Sequence, residues 1–84
     1  RARVEPGVTT AWHKLKGVTE RYIIISGQGR VEINDLDPID VFERDEVRLP
    51  EDTPQRITNT GQFDLICFAV CSPRFLPICY VSLE

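Results

Sequence analysis

The sequence predicts an all-β domain, and three observations carry that prediction. No stretch of a dozen residues repeats apolar positions at helical spacing. β-Branched and aromatic residues instead gather in short runs, and Gly, Pro, Asn and Asp punctuate those runs at regular intervals. Short strands between regular turns point to a barrel or a sandwich. Taken in order, Thr19 to Ile25 and Arg30 to Asn34 read as two strands joined by Ser26-Gly27-Gln28-Gly29. Those glycines can supply the positive φ that a hairpin turn requires, so a hairpin is expected there. Asn34-Asp35 through Pro38 is a further turn, and the acidic stretch Asp35 to Asp45, interrupted by apolar residues, reads as a solvated loop and edge strand. Asp45 to Leu49 alternates polar and apolar as a half-buried strand does, and Pro50-Glu51-Asp52-Thr53-Pro54 is a loop between prolines. Gln55 to Thr58 and Phe63 to Cys71 are the next strands, split by Asn59-Thr60-Gly61. The prolines in the run Pro73 to Val81 exclude it from a central strand, so residues 73–84 are expected as an extended tail.

Composition bounds the function classes. The 84 residues carry 10 Lys and Arg against 13 Asp and Glu, a net charge of −3, so one small domain (1–84) with no nucleic-acid partner is expected. The longest apolar runs, Tyr22 to Ile25 and Leu65 to Cys71, are far shorter than a helical membrane span, and no membrane partner is expected. With no leader-like segment in view the expected compartment is the cytoplasm. Three cysteines, Cys67, Cys71 and Cys79, are an odd number and make no disulfide framework; they read as small buried hydrophobes in a reducing compartment. The chain contains no methionine, which leads to the expectation that its true N-terminus is missing. Both long apolar runs are apolar at consecutive positions, a pattern of strands covered on both faces. One small domain has a single interior, so a homodimer is expected to cover the second face.

The chemistry-bearing residues are few. The one histidine, His13, follows Gly7 by six positions and precedes Glu20 by seven, and Gly27 lies seven further on. This spacing, about residues 7–27, resembles the first motif of the cupin superfamily, with Leu15 standing where a second histidine would be. Residues 44–59 resemble the second motif: Pro50 and Asn59 match it, while Arg44 and Asp52 stand in place of glycines and Gln55 in place of a histidine. Two spaced motifs in order are far more specific than either alone. The resemblance implies a single jelly-roll-like cupin domain, an antiparallel β-barrel of the double-stranded β-helix type. It also implies a divalent ion such as Fe, Mn, Ni or Zn inside the barrel, here weakly held, with His13, Glu20 and Gln55 as its candidate ligands. Compact bacterial cupins often carry the label mannose-6-phosphate isomerase-like, but no phosphate-binding cluster for such a substrate stands out in these residues.

Strand alternation supports part of this pattern. If His13 points inward so does Leu15, and if Glu20 points inward so do Tyr22 and Ile24, which makes Leu15, Tyr22 and Ile24 the expected pocket wall. A buried carboxylate among apolar neighbours is costly unless it is paired or binds a cation. Two readings follow: a degenerate metal site acting on a small organic molecule as a dioxygenase or isomerase would, or a metal-free polar cluster that holds such a molecule without catalysis. No catalytic residue is assigned. Trp12, Arg21 and Arg56, each next to an inward position, are expected to face outward, with the arginines paired to acidic residues.

Overall fold

The computed structural model describes residues 1–72 and 79–84. All regular structure among them is β: β1 (Ala2–Val4), β2 (His13–Leu15), β3 (Thr19–Ser26), β4 (Gln28–Ile33), β5 (Ile39–Phe42), β6 (Glu46–Leu49), β7 (Gln55–Asn59), β8 (Leu65–Ser72) and β9 (Tyr80–Ser82). They form two antiparallel sheets, one in the order β1-β8-β3-β6 and the other in the order β5-β4-β7-β2-β9. The expected all-β, double-stranded β-helix architecture is therefore two hydrogen-bonded layers rather than one continuous ladder.

The core lies between the layers. Tyr22 and Ile24 of β3, Val47 and Leu49 of β6, and Leu65 and Cys67 of β8 meet Val31 and Ile33 of β4, Val41 of β5 and Ile57 of β7. Where a strand supplies two of these residues, they lie two positions apart, so the period-two alternation of the sequence is the alternation of the sheets. The strand expected within Asp35 to Asp45 is β5, at the edge of the second sheet.

One expectation fails. The runs on either side of Ser26-Gly27-Gln28-Gly29 do not pair: β3 lies between β8 and β6, whereas β4 lies between β5 and β7. The segment is a corner between sheets, not a hairpin. Gly27 does adopt positive φ, +87°, and a Cβ there would stand 2.7 Å from the Asp64 carbonyl oxygen. Gly29 has a different task, because a Cβ at that position would meet the Thr58 carbonyl oxygen at 2.7 Å and the Leu65 side chain at 2.8 Å. A glycine that permits a tight turn equally permits a sheet-to-sheet corner, and only the pairing partners of the flanking strands distinguish the two.

Two other turns carry the frame of the second motif. Arg44 and Asp52, which stand in place of glycines, take positive φ of 77° and 57°. That backbone region favours glycine, and each residue is held there by neighbouring strands. The Arg44 amide donates to Ile24 O at 2.8 Å, and the Asp52 amide donates to Leu15 O at 2.9 Å. The second contact ties the loop between β6 and β7 to the end of β2.

Of the expected C-terminal tail, residues 73–78 lie outside the described residues. Tyr80 to Ser82 are β9, which adds to the sheet edge beside β2 with Lys14 opposite Val81 and Leu15 opposite Tyr80. Cys67 is buried, whereas Cys71 and Cys79 are half-buried, and all three are free thiols.

Candidate functional site

Three strands bring the sequence-predicted polar residues together. β2 and β7 set His13 directly opposite Gln55, so both side chains fall on one face of their sheet. β3 supplies Glu20 from the facing sheet. Gln55 Nε2 donates to Glu20 Oε1 at 3.1 Å, a buried bond between the two layers. Glu20 is 7% exposed and Gln55 1%. Burial pushes the Glu20 carboxyl above the usual carboxylate range, and the amide donor from Gln55 and the nearby His13 ring only partly oppose that shift.

His13 is half-buried beside them. Its Nδ1 lies 2.8 Å from Ala11 O. A carbonyl only accepts, so Nδ1 carries a hydrogen directed at Ala11 O. The ring stacks on Tyr80, with centroids 5.1 Å apart and planes 18° from parallel. β9 thereby fixes the orientation of the histidine on β2.

A cavity of about 300 Å³ opens beside this group, walled by His13, Leu15, Glu20, Ala69, Cys71 and Tyr80. It is small for a ligand site, and its wall mixes one carboxyl, one imidazole and one thiol with apolar surface. Burial and the Glu20 charge push the Cys71 thiol up, so it stays protonated at neutral pH. Leu15 sits in the wall. Tyr22 and Ile24, on the same face of β3 as Glu20, run inward from it and belong to the core, 7% and 1% exposed. Burial and the Glu20 charge raise the Tyr22 phenol, which keeps it neutral.

Ala69, Cys71 and Tyr80 are wall residues outside the expected set. The first two were legible: Cys67 faces the core, so residues two and four further along β8 share its face. Tyr80 carried no such signal, because its strand follows a run containing two prolines and pairs with a strand 65 positions away, Leu15 with Tyr80. The arginines expected to face outward do so: Arg21 donates to Glu46 at 2.9 Å, and Arg56 makes a two-pronged bond to Glu32 at 2.8 and 3.1 Å. The Arg56 guanidinium also lies over Trp12, 4.5 Å from the ring centroid.

The donor set does not fit a tightly held ion. Gln55 offers Glu20 its N–H, and its own Oε1 is buried with no hydrogen-bond partner among the described residues. Leu15, in the wall, has no donor atom. Among the described residues, no three His, Cys, Asp or Glu side chains gather in an arrangement that could hold a metal. Structural zinc takes four ligands and catalytic zinc three plus water.

No protein-family model matches the chain, and no curated protein matches it by sequence. Solved structures do. An uncharacterised conserved protein with a double-stranded β-helix domain from Klebsiella pneumoniae superposes with a TM-score of 0.85 at 17% identity, over 98% of this chain and 70% of that one. The capsular polysaccharide assembling protein CapF from Staphylococcus aureus superposes with a TM-score of 0.82 at 22% identity, covering 99% of this chain but 27% of CapF. A predicted oxalate decarboxylase from Thermotoga maritima reaches a TM-score of 0.76 at 29% identity, over 82% of this chain and 59% of that protein. The chain thus spans about a quarter of CapF and little more than half of the decarboxylase. With its two antiparallel sheets and these neighbours, the protein has the double-stranded β-helix fold.

Proposed function

We propose that this domain binds a small, uncharged organic molecule in the cavity beside Glu20, through a polar cluster that works without a metal. The observation that carries this reading is the buried Gln55 to Glu20 hydrogen bond, which uses the Gln55 N–H and leaves its Oε1 a buried acceptor with no partner among the described residues. Glu20 and Gln55 Oε1 accept hydrogen bonds and an ionised Glu20 repels anions, so the ligand must be a donor such as a hydroxy compound. Leu15, Ala69 and the Tyr80 ring would hold its apolar edge. The cavity volume, about 300 Å³, restricts it to a small molecule.

The reading in which His13, Glu20 and Gln55 hold a divalent ion is decided by metal content. Protein purified without a histidine tag or chelator and analysed by plasma mass spectrometry is expected to carry well under one equivalent of any transition metal. One equivalent that disappears in Glu20→Gln would overturn the metal-free reading. The double substitution Leu15→His with Gln55→His should then create an ion site where the parent has none. Calorimetric titration with Zn²⁺ is expected to show tighter binding in the double variant. Equal, weak binding in both proteins would mean that these positions do not face one cavity.

A further inference from the structure

The outer face of the first sheet carries a second recess, remote from the core. Its described walls are Thr19, Arg21, Arg48, Val70 and Ser72, and its volume is about 250 Å³. Arg21 stands directly opposite Arg48 on β6 and directly opposite Val70 on β8. Two like charges placed opposite each other on one face of an antiparallel pair are destabilising. The chain as a whole has a net charge of −3, so this is a local concentration of positive charge on an acidic protein.

Only part of that charge is answered. Glu46 pairs with Arg21 at 2.9 Å, while Arg48 makes no ion pair among the described residues. Beside the recess the same face is apolar: Ile23 stands opposite Phe68, one row along from Arg21 and Val70. Phe68 is 46% exposed and Val70 39%. The other sheet's outward side differs, since there Arg56 is bonded to Glu32 and Arg30 to Asp40.

We infer that Arg21 and Arg48 form a binding site for an organic anion, a phosphate or carboxylate carried on an apolar body. The anion bridges the two guanidinium groups and the body lies along Val70 and Phe68. Arginine suits this task because its planar fork matches the oxygens of both anions, and an anion between the two forks turns their repulsion into shared attraction. The site is separate from the cavity beside Glu20 and takes ligands of opposite character, so the two assignments stand or fall independently.

The test is a ¹H–¹⁵N chemical-shift titration at low ionic strength with phenyl phosphate, benzoate and inorganic phosphate. The aromatic anions are expected to move the resonances of Arg21, Arg48, Val70 and Ser72, and the ratio of their affinities tells which anion the site prefers. Arg48→Gln should weaken binding about tenfold, the usual size of a lost hydrogen bond to a charged group. Glu46→Gln should strengthen it severalfold by releasing Arg21. Both side chains are exposed, so neither change threatens the fold. Shifts at His13, Glu20 and Tyr80 instead, or an Arg48→Gln protein that binds as the parent does, would overturn the assignment. Inorganic phosphate binding as tightly as phenyl phosphate would remove the apolar half of it.

Discussion

Asn59, one of the two residues that match the second motif, holds three segments with one amide. Its Nδ2 donates to Val4 O and to Phe63 O, each at 2.8 Å, and its Oδ1 accepts from the Gly61 amide at 2.8 Å. The side chain is 1% exposed. Asn59→Ala would leave the buried Val4 carbonyl without this partner and strand two half-buried groups in the loop between β7 and β8. A stranded buried group costs about 1–3 kcal/mol and a half-buried one less, so the sum is about 3–4 kcal/mol. A domain of this length has roughly 4–12 kcal/mol in total, so the variant should lose between about a quarter and nearly all of its stability. Urea unfolding followed by Trp12 fluorescence reads the effect as a midpoint lowered by about 2–3 M, given the usual slope for small domains. Asn59→Asp supplies the control, because it keeps the acceptor for Gly61 but turns an oxygen toward two carbonyls. It should be as damaging at neutral pH and partly recover on acidification, when a protonated carboxyl can donate one bond. A midpoint shift below about 0.5 M for Asn59→Ala would show that the three bonds are replaced by water and that the argument from orphaned groups fails.

Two further outcomes follow from the same structure. Burial raises the Glu20 carboxyl above its unfolded value, so between those two values the folded state binds the extra proton and stability falls as pH rises. Glu20→Gln should remove that loss and flatten the pH dependence of Tm above the ordinary carboxylate range; Glu32, held low by Arg56, acts with the opposite sign but equally in both proteins. Identical pH profiles for parent and variant would mean Glu20 is solvated in solution. The second outcome concerns assembly: Ile25 is 41% exposed and Ile23 half-buried on the outer face of β3, and the homodimer expected from the sequence would cover them and so compete with an anion at Arg21 and Arg48 for that face. Ile23→Glu and Ile25→Glu should convert a dimer to a monomer in sedimentation velocity, whereas an unchanged profile would place these side chains against solvent or their own chain.

Local periodicity makes much of this protein legible in its sequence. With Glu20 taken as inward, strand period makes Tyr22 and Ile24 inward too, and the motif spacing singles out His13, Glu20 and Gln55, of which Gln55 bonds to Glu20 and stands opposite His13. Arg44 and Asp52 show how specific that spacing is, because both adopt the positive φ of the glycines they replace. The apparent hairpin at Gly27 shows where such reasoning stops. The residues of that corner satisfy a backbone angle, and the angle is the same whether the chain turns back on its own strand or crosses to the other sheet.

The cavity wall divides along the same line. Ala69 and Cys71 follow from alternation along one strand, but Tyr80 reaches His13 only because β9 pairs with β2 across most of the chain length. The recess at Arg21 and Arg48 likewise exists because β3 and β6 are neighbours in space. The sequence by itself determined which side chains face inward and what chemistry they bring, since strand period and residue type are local properties. Only the tertiary structure decided which strands lie side by side, because pairing partners are chosen by the burial of whole faces over long separations in the chain and leave no local mark.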